Sequence, residues 1–397
     1  MSRFSRLFES LFNQGVATAG ALVLAVLIAR GTSATEFGYA SISLGFLAVA
    51  LTVSRSTVTT TQLLHGDDGA TISAIRGGAT AALVIGSVCT LASAAFLIAT
   101  EVTQISALLA LSIPVATVYD HYRLSLVQQT RTRLSAVVEL FRFLTQTCPP
   151  AIFMLAVGES AFVAVLSWLV SYVLAAAISG LTLKSAPTWR DFHVLLSENR
   201  VRYINLGLES TLNSLAANSA TFLSLAIVGA YASAAVRGGF TVSGGLGMAV
   251  LAVTPIATLS FVRRLKSGHS PYRLLLLWSL GVTAFGSFYG VILLLIPDSF
   301  GYQLLGDTWN VTKPVLFAFS IHVATRGLVT GVPIILRSAD LTQQVLRLRL
   351  VTSILTVSSV AIGATMVGLP GIAWGLVVSQ ILASAWCFAA FARAFSM

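Results

Sequence analysis

The chain has 397 residues, of which 56% are hydrophobic and only 10% are charged, and its mean hydropathy is +0.87. A soluble domain carries about 25% charged residues, so this composition excludes an ordinary soluble protein. The net charge of +10 would fit a nucleic-acid-binding protein, but the basic residues are spread over short segments and form no basic domain. We therefore expect no nucleic-acid partner, and we attribute the charge to membrane topology and contact with anionic lipid.

About twelve apolar segments follow one another along the chain. Most contain about 20 residues, the length that a helix needs to cross about 30 Å of hydrocarbon. Lipid offers the backbone no hydrogen-bond partners, so the segments are predicted to be helices. We therefore predict an all-α, polytopic membrane protein with about 12 transmembrane helices. The predicted spans are 11–29, 37–64, 77–99, 105–126, 134–156, 162–183, 204–230, 240–262, 274–296, 315–336, 345–367 and 371–391.

The basic residues lie mostly in alternate gaps between these segments. If the amino terminus is cytoplasmic, 18 of the 24 Lys and Arg residues lie in inward loops. This bias is the positive-inside rule, and it predicts a multi-pass protein with both termini in the cytoplasm. Three basic residues fall in outward loops, namely Arg30, Arg237 and Lys313. Three more fall inside apolar segments, namely Arg55, Arg142 and Arg326.

The longest inward gap, residues 184–203, divides the predicted helices six and six. It is rich in charged residues and has no long apolar run, as expected for a loop outside the membrane. The sequence therefore predicts an N-terminal six-helix half at 1–183, a cytoplasmic linker at 184–203 and a C-terminal six-helix half at 204–397.

The two predicted halves carry a weak internal repeat. Residues 112–117 match residues 320–325 in five of six positions, at an offset of 208. At an offset of 200, five Ser, Ala and Gly residues of 33–45 recur in 233–245. Because each half has an even number of helices, both halves are predicted to have the same orientation. Such a parallel repeat is an architecture of transporters, with the substrate site between the halves.

Three short stretches carry a resemblance to a known family. Residues 29–39 read Ala-Arg-Gly-Thr-Ser-Ala-Thr-Glu-Phe-Gly-Tyr, which resembles the turn after the first helix in bacterial polysaccharide-biosynthesis flippases. The Gly-Ala-Tyr of 229–231 and the Gln-Gln-Thr-Arg of 128–131 are similar to two further turns of that family. The chain thus resembles O-antigen-type flippases of the multidrug, oligosaccharidyl-lipid and polysaccharide exporter superfamily. It departs from them at Gly31 and Thr32, where an apolar residue and a glycine are usual, and in having fewer helices than many relatives.

The resemblance implies a flippase in the bacterial inner, or plasma, membrane. Such a protein moves a polyprenyl-diphosphate-linked oligosaccharide or polysaccharide precursor from the cytoplasmic to the outer face by alternating access. Its partners would be the lipid-linked sugar, membrane lipid and polysaccharide-assembly proteins, and no cofactor is implied.

Three alternatives remain open at this point. A multidrug-type exporter of the same superfamily would be expected to have an aromatic, acidic cavity. The intramembrane arginines argue against this alternative. A membrane glycosyltransferase or polymerase acting on the same lipid-linked sugar would usually carry acids or basic clusters in a large outward loop. The outward gaps here are short, so we predict that the protein is not an enzyme. Nothing in the sequence excludes a scaffold role in an export complex.

The intramembrane arginines are the candidates for substrate binding. A charge inside the membrane costs about 2.5–3.5 kcal/mol, so each needs a compensating role. If Arg55, Arg142 and Arg326 faced one central space, they would form a cationic cavity suited to a diphosphate, which guanidinium binds in a bidentate manner. His322 lies one helical turn from Arg326 and belongs to the same predicted site. A local ion pair with Glu139 explains Arg142 equally well, and the alternative for Arg55 is that its side chain snorkels towards the cytoplasm.

The candidates for ion coupling are Glu209, Asn213 and Asp120. Glu209 has no basic neighbour within one turn, and Asn213 lies one turn away, a pattern that suits a proton or a sodium ion. The alternative for Glu209 is an ion pair with an arginine of the other half. Asp120 has Arg123 three residues further on, so a structural ion pair is its default interpretation.

No metal or catalytic site is predicted. The three cysteines lie in apolar segments and lack metal-ligand spacing. The glycines of 238–247 open a predicted membrane helix without a preceding strand or a Walker lysine. Close helix packing therefore explains them better than a phosphate loop.

Overall fold

The computed structural model of the protein describes residues 3–59, 71–129, 131–244, 261, 264–265, 267–339 and 341–395. All regular secondary structure in these residues is helical, which confirms the predicted all-α class. Eight helices in the described part are long and apolar enough to cross a membrane. The protein is therefore a polytopic, multi-pass membrane protein.

The chain forms two compact units, Met1–Ser214 (unit 1) and Leu215–Met397 (unit 2). Within the described residues, unit 1 contains six complete helices and most of a seventh. Their bounds are α1 Arg3–Gly31, α2 Ala34–Ser54, α3 Ile72–Ile98, α4 Gln104–Gln128, α5 Thr132–Ala156, α6 Ala161–Leu183 and α7 Trp189–Leu223. A π-helical segment, Arg55–Thr59, continues α2, and another, Ser224–Val228, continues α7.

The described residues of unit 2 contain the end of α7 and five further long helices. They are α8 at 230–244, α9 Pro271–Leu294, α10 Leu316–Ser338, α11 Thr342–Val367 and α12 Leu369–Phe395. The gap between α9 and α10 holds two short helices, Asp298–Leu305 and Thr308–Thr312, and a 3-10 turn, Lys313–Val315.

Hydroxyl side chains start four of the helices in unit 1. Ser33, Thr71, Thr103 and Ser160 each accept a hydrogen bond from the backbone N–H three residues further on. The four N-terminal N–H groups of a helix lack intrahelical partners, and such a cap satisfies one of them at a gain of about 1 kcal/mol. At Thr103 the Ser106 side chain also binds back to the cap residue, which completes a capping box. These caps fix where the helices begin after short turns.

The same helix pairs pack in both units. In unit 1 α3 packs on α4, α5 on α6 and α4 on α6, and in unit 2 α9 packs on α10, α11 on α12 and α10 on α12. Glycines permit the close approach of the first pair in each unit. A methyl group on Gly86 would lie 2.6 Å from Pro114 Cα, and one on Gly286 would lie 2.7 Å from the Val323 carbonyl oxygen. This shared pattern supports the predicted repeat, while the superposition of residues 112–117 on 320–325 stays a prediction.

The predicted linker differs from the structure in one respect. Residues 184–188 form a turn, but helix α7 already begins at Trp189, so most of 184–203 is helical. Asp191 explains this early start, because it accepts hydrogen bonds from the Ser73 and Thr188 side chains and fastens the first turn of α7 to α3. The exact boundaries of the two predicted halves stay predictions.

The eighth predicted segment, 240–262, also begins too late. Helix α8 is helical from residue 230, directly after Gly229, whose φ of 118° ends the preceding π-helical segment. The sequence placed Arg237 in an outward loop, whereas the structure places it in helix α8, seven residues after the helix begins; its side of the membrane stays a prediction. Residues 245–260 of the predicted segment lie outside the described residues, as do 60–64 at the end of the second one.

Candidate functional site

An ion pair joins α2 to α4 in unit 1. Arg55 opens the π-helical segment after α2, and its guanidinium donates from Nε to Asp120 Oδ2 (2.6 Å) and from Nη2 to Oδ1 (2.8 Å). Arg123, one turn along α4, also donates to Asp120 Oδ1 at 2.9 Å, as expected from its spacing. The carboxylate therefore has two guanidinium partners, and the Arg55 partner was not apparent from the sequence.

Arg123 continues this cluster towards α1 and α5. Its Nη1 donates to Asn13 Oδ1 at 3.1 Å, and Asn13 Nδ2 donates to Ser135 Oγ at 2.5 Å. Ser135 in turn donates to the Arg123 carbonyl oxygen at 3.1 Å. All three side chains are buried, so the hydrogen bonds tie three helices together where water does not compete.

A second buried cluster surrounds Arg142 on α5. Arg142 donates to Glu139 Oε1 from Nε (2.9 Å) and Nη2 (2.6 Å), and to Gln146 Oε1 from Nη1 (2.7 Å). The Tyr119 hydroxyl donates to the other Glu139 oxygen at 2.5 Å, and the Tyr172 ring lies 4.6 Å from the guanidinium carbon. The side chains of Arg142 and Glu139 are each only 1% exposed. The local ion pair considered for Arg142 is therefore present.

The two clusters contain three guanidinium groups, of Arg55, Arg123 and Arg142, and two carboxylates. Of the three, only the Arg55 side chain is substantially exposed, at 36%. Buried charges are retained when they are paired and hydrogen-bonded, and both buried arginines meet this condition. Among these three arginines, Arg55 alone has a substantially exposed charge, and Asp120 already binds it.

In unit 2, by contrast, an arginine lacks an ion pair among the described residues. Arg326 lies inside α10, near the centre of the 31-residue apolar span Thr308–Ser338. Within the described residues its guanidinium has no hydrogen bond or ion pair, and the His322 Nδ1 atom is buried without a hydrogen-bond partner. The sequence of unit 2 has three acidic residues, Asp298, Asp307 and Asp340, and α8 to α12 as described contain none of them.

Helix α8 contributes a further cation, Arg237, which the sequence interpretation did not include. Its Nε atom is buried and has no hydrogen-bond partner in the described part of the chain. One turn further along α8, the Phe240 ring packs edge-on against His322, with ring centroids 6.4 Å apart. The neighbouring glycines, Gly238 and Gly239, pack against Thr312 and Phe319, as expected for close helix contact.

The candidate coupling residues Glu209 and Asn213 lie one turn apart on α7. Glu209 is 7% exposed and takes part in an interaction, and Asn213 is half-buried. The adjacent Ser210 donates to the Thr52 carbonyl oxygen at 3.0 Å, which packs this part of α7 against the end of α2. Glu209 is therefore next to the residue that contacts the end of α2, three residues before Arg55, and the role of Glu209 and Asn213 in coupling stays a prediction.

The described residues contain no group of three or more His, Cys, Asp or Glu side chains that could hold a metal ion. Cys89, Cys148 and Cys387 are free thiols. At the predicted outer end of unit 1, Arg30 forms an ion pair with Glu159, and in unit 2 Lys313 binds Asp298. These two cations therefore have exposed structural partners, unlike Arg237 and Arg326.

The fold is that of known transporters. A MATE transporter from Vibrio cholerae, VcmN, is 15% identical, with 99% of this chain and 96% of that chain covered and a TM-score of 0.60. An inward-facing multidrug resistance MATE family transporter of the MOP superfamily is 13% identical, covers 98% and 94%, and has a TM-score of 0.63. This chain has the MATE transporter fold.

A third similar structure is a MOP superfamily transporter from Pyrococcus furiosus, described as having a binding pocket of reverse polarity. It is 14% identical, with 98% of this chain and 95% of that chain covered and a TM-score of 0.62. No family model and no curated protein matches the sequence. The similarity therefore establishes the fold, and the function has to be inferred from the side chains.

Proposed function

We propose that the protein is a membrane exporter that moves an anionic, lipid-linked saccharide from the cytoplasmic to the outer face by alternating access. The observation that carries this proposal is Arg326, a cation in the middle of an apolar span without a described ion-pair partner. Such a charge costs about 2.5–3.5 kcal/mol, so a membrane protein retains it where water or an anionic ligand solvates it. The fold of known transporters supports a translocation role over an enzymatic one.

The proposed substrate is a polyprenyl-diphosphate-linked oligosaccharide or polysaccharide precursor. Guanidinium binds phosphate through two parallel hydrogen bonds, and His322 offers a further nitrogen beside Arg326. The resemblance of residues 29–39 to polysaccharide flippases supports the same substrate class. In this proposal the protein acts in the bacterial plasma membrane with both termini in the cytoplasm, alongside polysaccharide-assembly proteins.

The arginines of unit 1 have different roles in this proposal. Arg142 is 1% exposed and bound to Glu139 and Gln146, so it holds α5 against its neighbours. Arg55 is 36% exposed, but Asp120 already binds its guanidinium, so in this proposal it does not hold the anionic group of the substrate. We propose that Asp120 orients Arg55 and that ion coupling uses Glu209 with Asn213.

A multidrug exporter is the second candidate function. The structural likeness to a multidrug resistance MATE family transporter favours it. A cavity for cationic drugs would need an uncompensated acid, whereas both carboxylates of the unit 1 clusters, Asp120 and Glu139, are bound by guanidinium groups. We therefore favour an anionic substrate over a cationic drug.

Reconstitution into proteoliposomes tests the proposal. The probe is a short-chain polyprenyl-diphosphate N-acetylglucosamine carrying a fluorophore on the sugar, and its protection from an external quencher reports translocation. We expect wild-type protein to translocate it, Arg326→Ala to abolish translocation, and Arg326→Lys to restore it in part because an ammonium lacks the bidentate fork. Efflux of ethidium without translocation of the diphosphate probe would instead establish the multidrug exporter.

A further inference from the structure

We propose that binding of the substrate's anionic group is confined to unit 2, where Arg237 on α8 forms a second anion station beyond Arg326 on α10. The inference rests on the proposed anionic substrate and adds a residue and a route to it. It follows from the different charge environments of the two units and from the register of α8 against α10.

The charge environments differ in kind. In unit 1 the buried guanidinium groups of Arg123 and Arg142 bind Asp120 and Glu139, and the half-exposed Arg55 binds Asp120. In the described part of unit 2, the guanidinium groups of Arg237 and Arg326 form no hydrogen bond or ion pair. An anion near the clustered arginines of unit 1 would compete with carboxylates that already bind them. An anion near Arg237 or Arg326 would supply the counter-charge that these residues lack.

The register of the two helices separates the cations by depth. Phe240 packs against Phe319 and His322, so these residues lie at similar levels. Arg237 lies one turn from Phe240 towards the start of α8, and Arg326 lies one turn from His322 towards the end of α10. With a rise of 1.5 Å per residue, the two arginine backbones are on the order of 10–20 Å apart along the helices.

Open space adjoins Gly244, which lies on the same side of α8 as Arg237. Gly244 lies two turns along the helix from Arg237, and no atom of the described chain lies within 4 Å of the position a methyl group would take there. A diphosphate bridging both cations at once would have to span this distance. We therefore assign them as successive stations, Arg326 at mid-membrane and Arg237 nearer the predicted outer end.

Binding of farnesyl diphosphate to the purified full chain, measured by isothermal titration calorimetry, tests the assignment. We expect Arg237→Gln and Arg326→Gln each to weaken binding about tenfold or more, since hydrogen bonds to charged groups are the strong ones. Arg55→Gln, the matched control from unit 1, should change affinity less than about threefold, and so should Lys313→Gln, whose partner is Asp298. Arg237→Lys should recover part of the loss.

The outcomes separate this inference from the proposed function. A loss with Arg326→Gln but none with Arg237→Gln overturns the second station and leaves the anionic substrate standing. A loss with Arg55→Gln equal to that of the unit 2 variants overturns the confinement to unit 2. If wild-type protein binds tetraphenylphosphonium but not farnesyl diphosphate, both the inference and the proposed function fail. Thermal unfolding of every variant checks that the affinity changes do not come from misfolding.

Discussion

Arg55 and Asp120 form a two-point ion pair although 65 positions separate them in the sequence. The pair connects the end of α2 to the C-terminal half of α4, and Arg123 shares the same carboxylate. It explains how the exposed guanidinium of Arg55 is held in one orientation. It also makes Asp120 a residue on which several helices depend.

Asp120→Asn should destabilise the protein. Removing one partner of a buried ion pair costs about 3–5 kcal/mol, and the 36% exposure of Arg55 reduces this to about 2–3 kcal/mol. Thermal or denaturant unfolding in detergent measures the loss. In a double-mutant cycle, Arg55→Gln combined with Asp120→Asn should cost less than the two single changes together. Strict additivity would show that the pair is not energetically coupled.

Gly20 on α1 should tolerate no side chain. A methyl group there would lie 2.7 Å from the Arg142 Nη2 atom, inside the buried cluster. We expect Gly20→Ala to destabilise by about 1–3 kcal/mol through overpacking. Gly15 on the same helix is the matched control, because no atom lies within 4 Å of its methyl position, so Gly15→Ala should be neutral or stabilising by up to about 1 kcal/mol. Equal effects at both sites in an unfolding assay would contradict the packing argument.

The start of α7 should detach from α3 at low pH. The Thr188 and Ser73 hydroxyl groups donate to Asp191 and hold the pKa of this carboxyl below its usual value. A depressed pKa contributes stability at neutral pH, and the contribution is lost as pH falls below about 4. Limited proteolysis near residues 184–195 should therefore increase at acid pH. Asp191→Asn should show the increase already at pH 7, and an unchanged cleavage rate in that variant would argue against docking through Asp191.

The predicted topology can be measured with single cysteines. In a variant lacking Cys89, Cys148 and Cys387, a cysteine at position 193 should resist an impermeant thiol reagent in intact cells. Cysteines at positions 101 and 298 should react, because the charge bias places them outside. Permeabilised cells provide the control for reactivity at position 193. The reverse labelling pattern would invert the orientation of the whole chain.

The internal repeat predicts a further structural result. In an experimental structure, residues 112–117 of α4 should superpose on 320–325 of α10 when the two units are aligned through α3–α6 and α9–α12. The equivalent packing of Gly86 and Gly286 already suggests this register. A best superposition that pairs α4 with any helix other than α10 would reduce the sequence match to an accident of composition.

Much of the fold was predictable from the sequence because lipid imposes a simple rule on the backbone. Long apolar runs must be helices, and caps such as Ser33 and Ser160 mark where they begin. The predicted helix starts were too late where polar residues belong to the helix itself and not to the loop before it. Arg237 is the clearest case. The internal repeat at an offset of 200 pairs it with Phe37, a residue that the sequence analysis had already placed inside a helix.

The site was less predictable, because ion pairs between distant helices leave no local pattern. The Arg123–Asp120 and Arg142–Glu139 pairs follow from a spacing of three residues on a helix. The Arg55–Asp120 pair and the contact of Asn13 with Arg123 depend on tertiary packing. For the same reason the sequence analysis gave Arg55 and Arg326 a shared role in substrate binding, whereas the structure pairs Arg55 with Asp120 and gives Arg326 no ion pair among the described residues.

The bond between Arg55 and Asp120 also constrains how the chain is made. At about 5–20 residues per second, a ribosome needs on the order of 3–13 s to synthesise the 65 residues from one to the other. During that interval Arg55 has emerged without its carboxylate, at the cost of an unpaired charge.

Helices α4 and α5, which bring Asp120, Arg123, Glu139 and Arg142, are not among the eight helices apolar enough to cross a membrane by themselves. We therefore expect these two helices to insert together, and substitutions in these clusters should reduce the amount of protein that reaches the membrane.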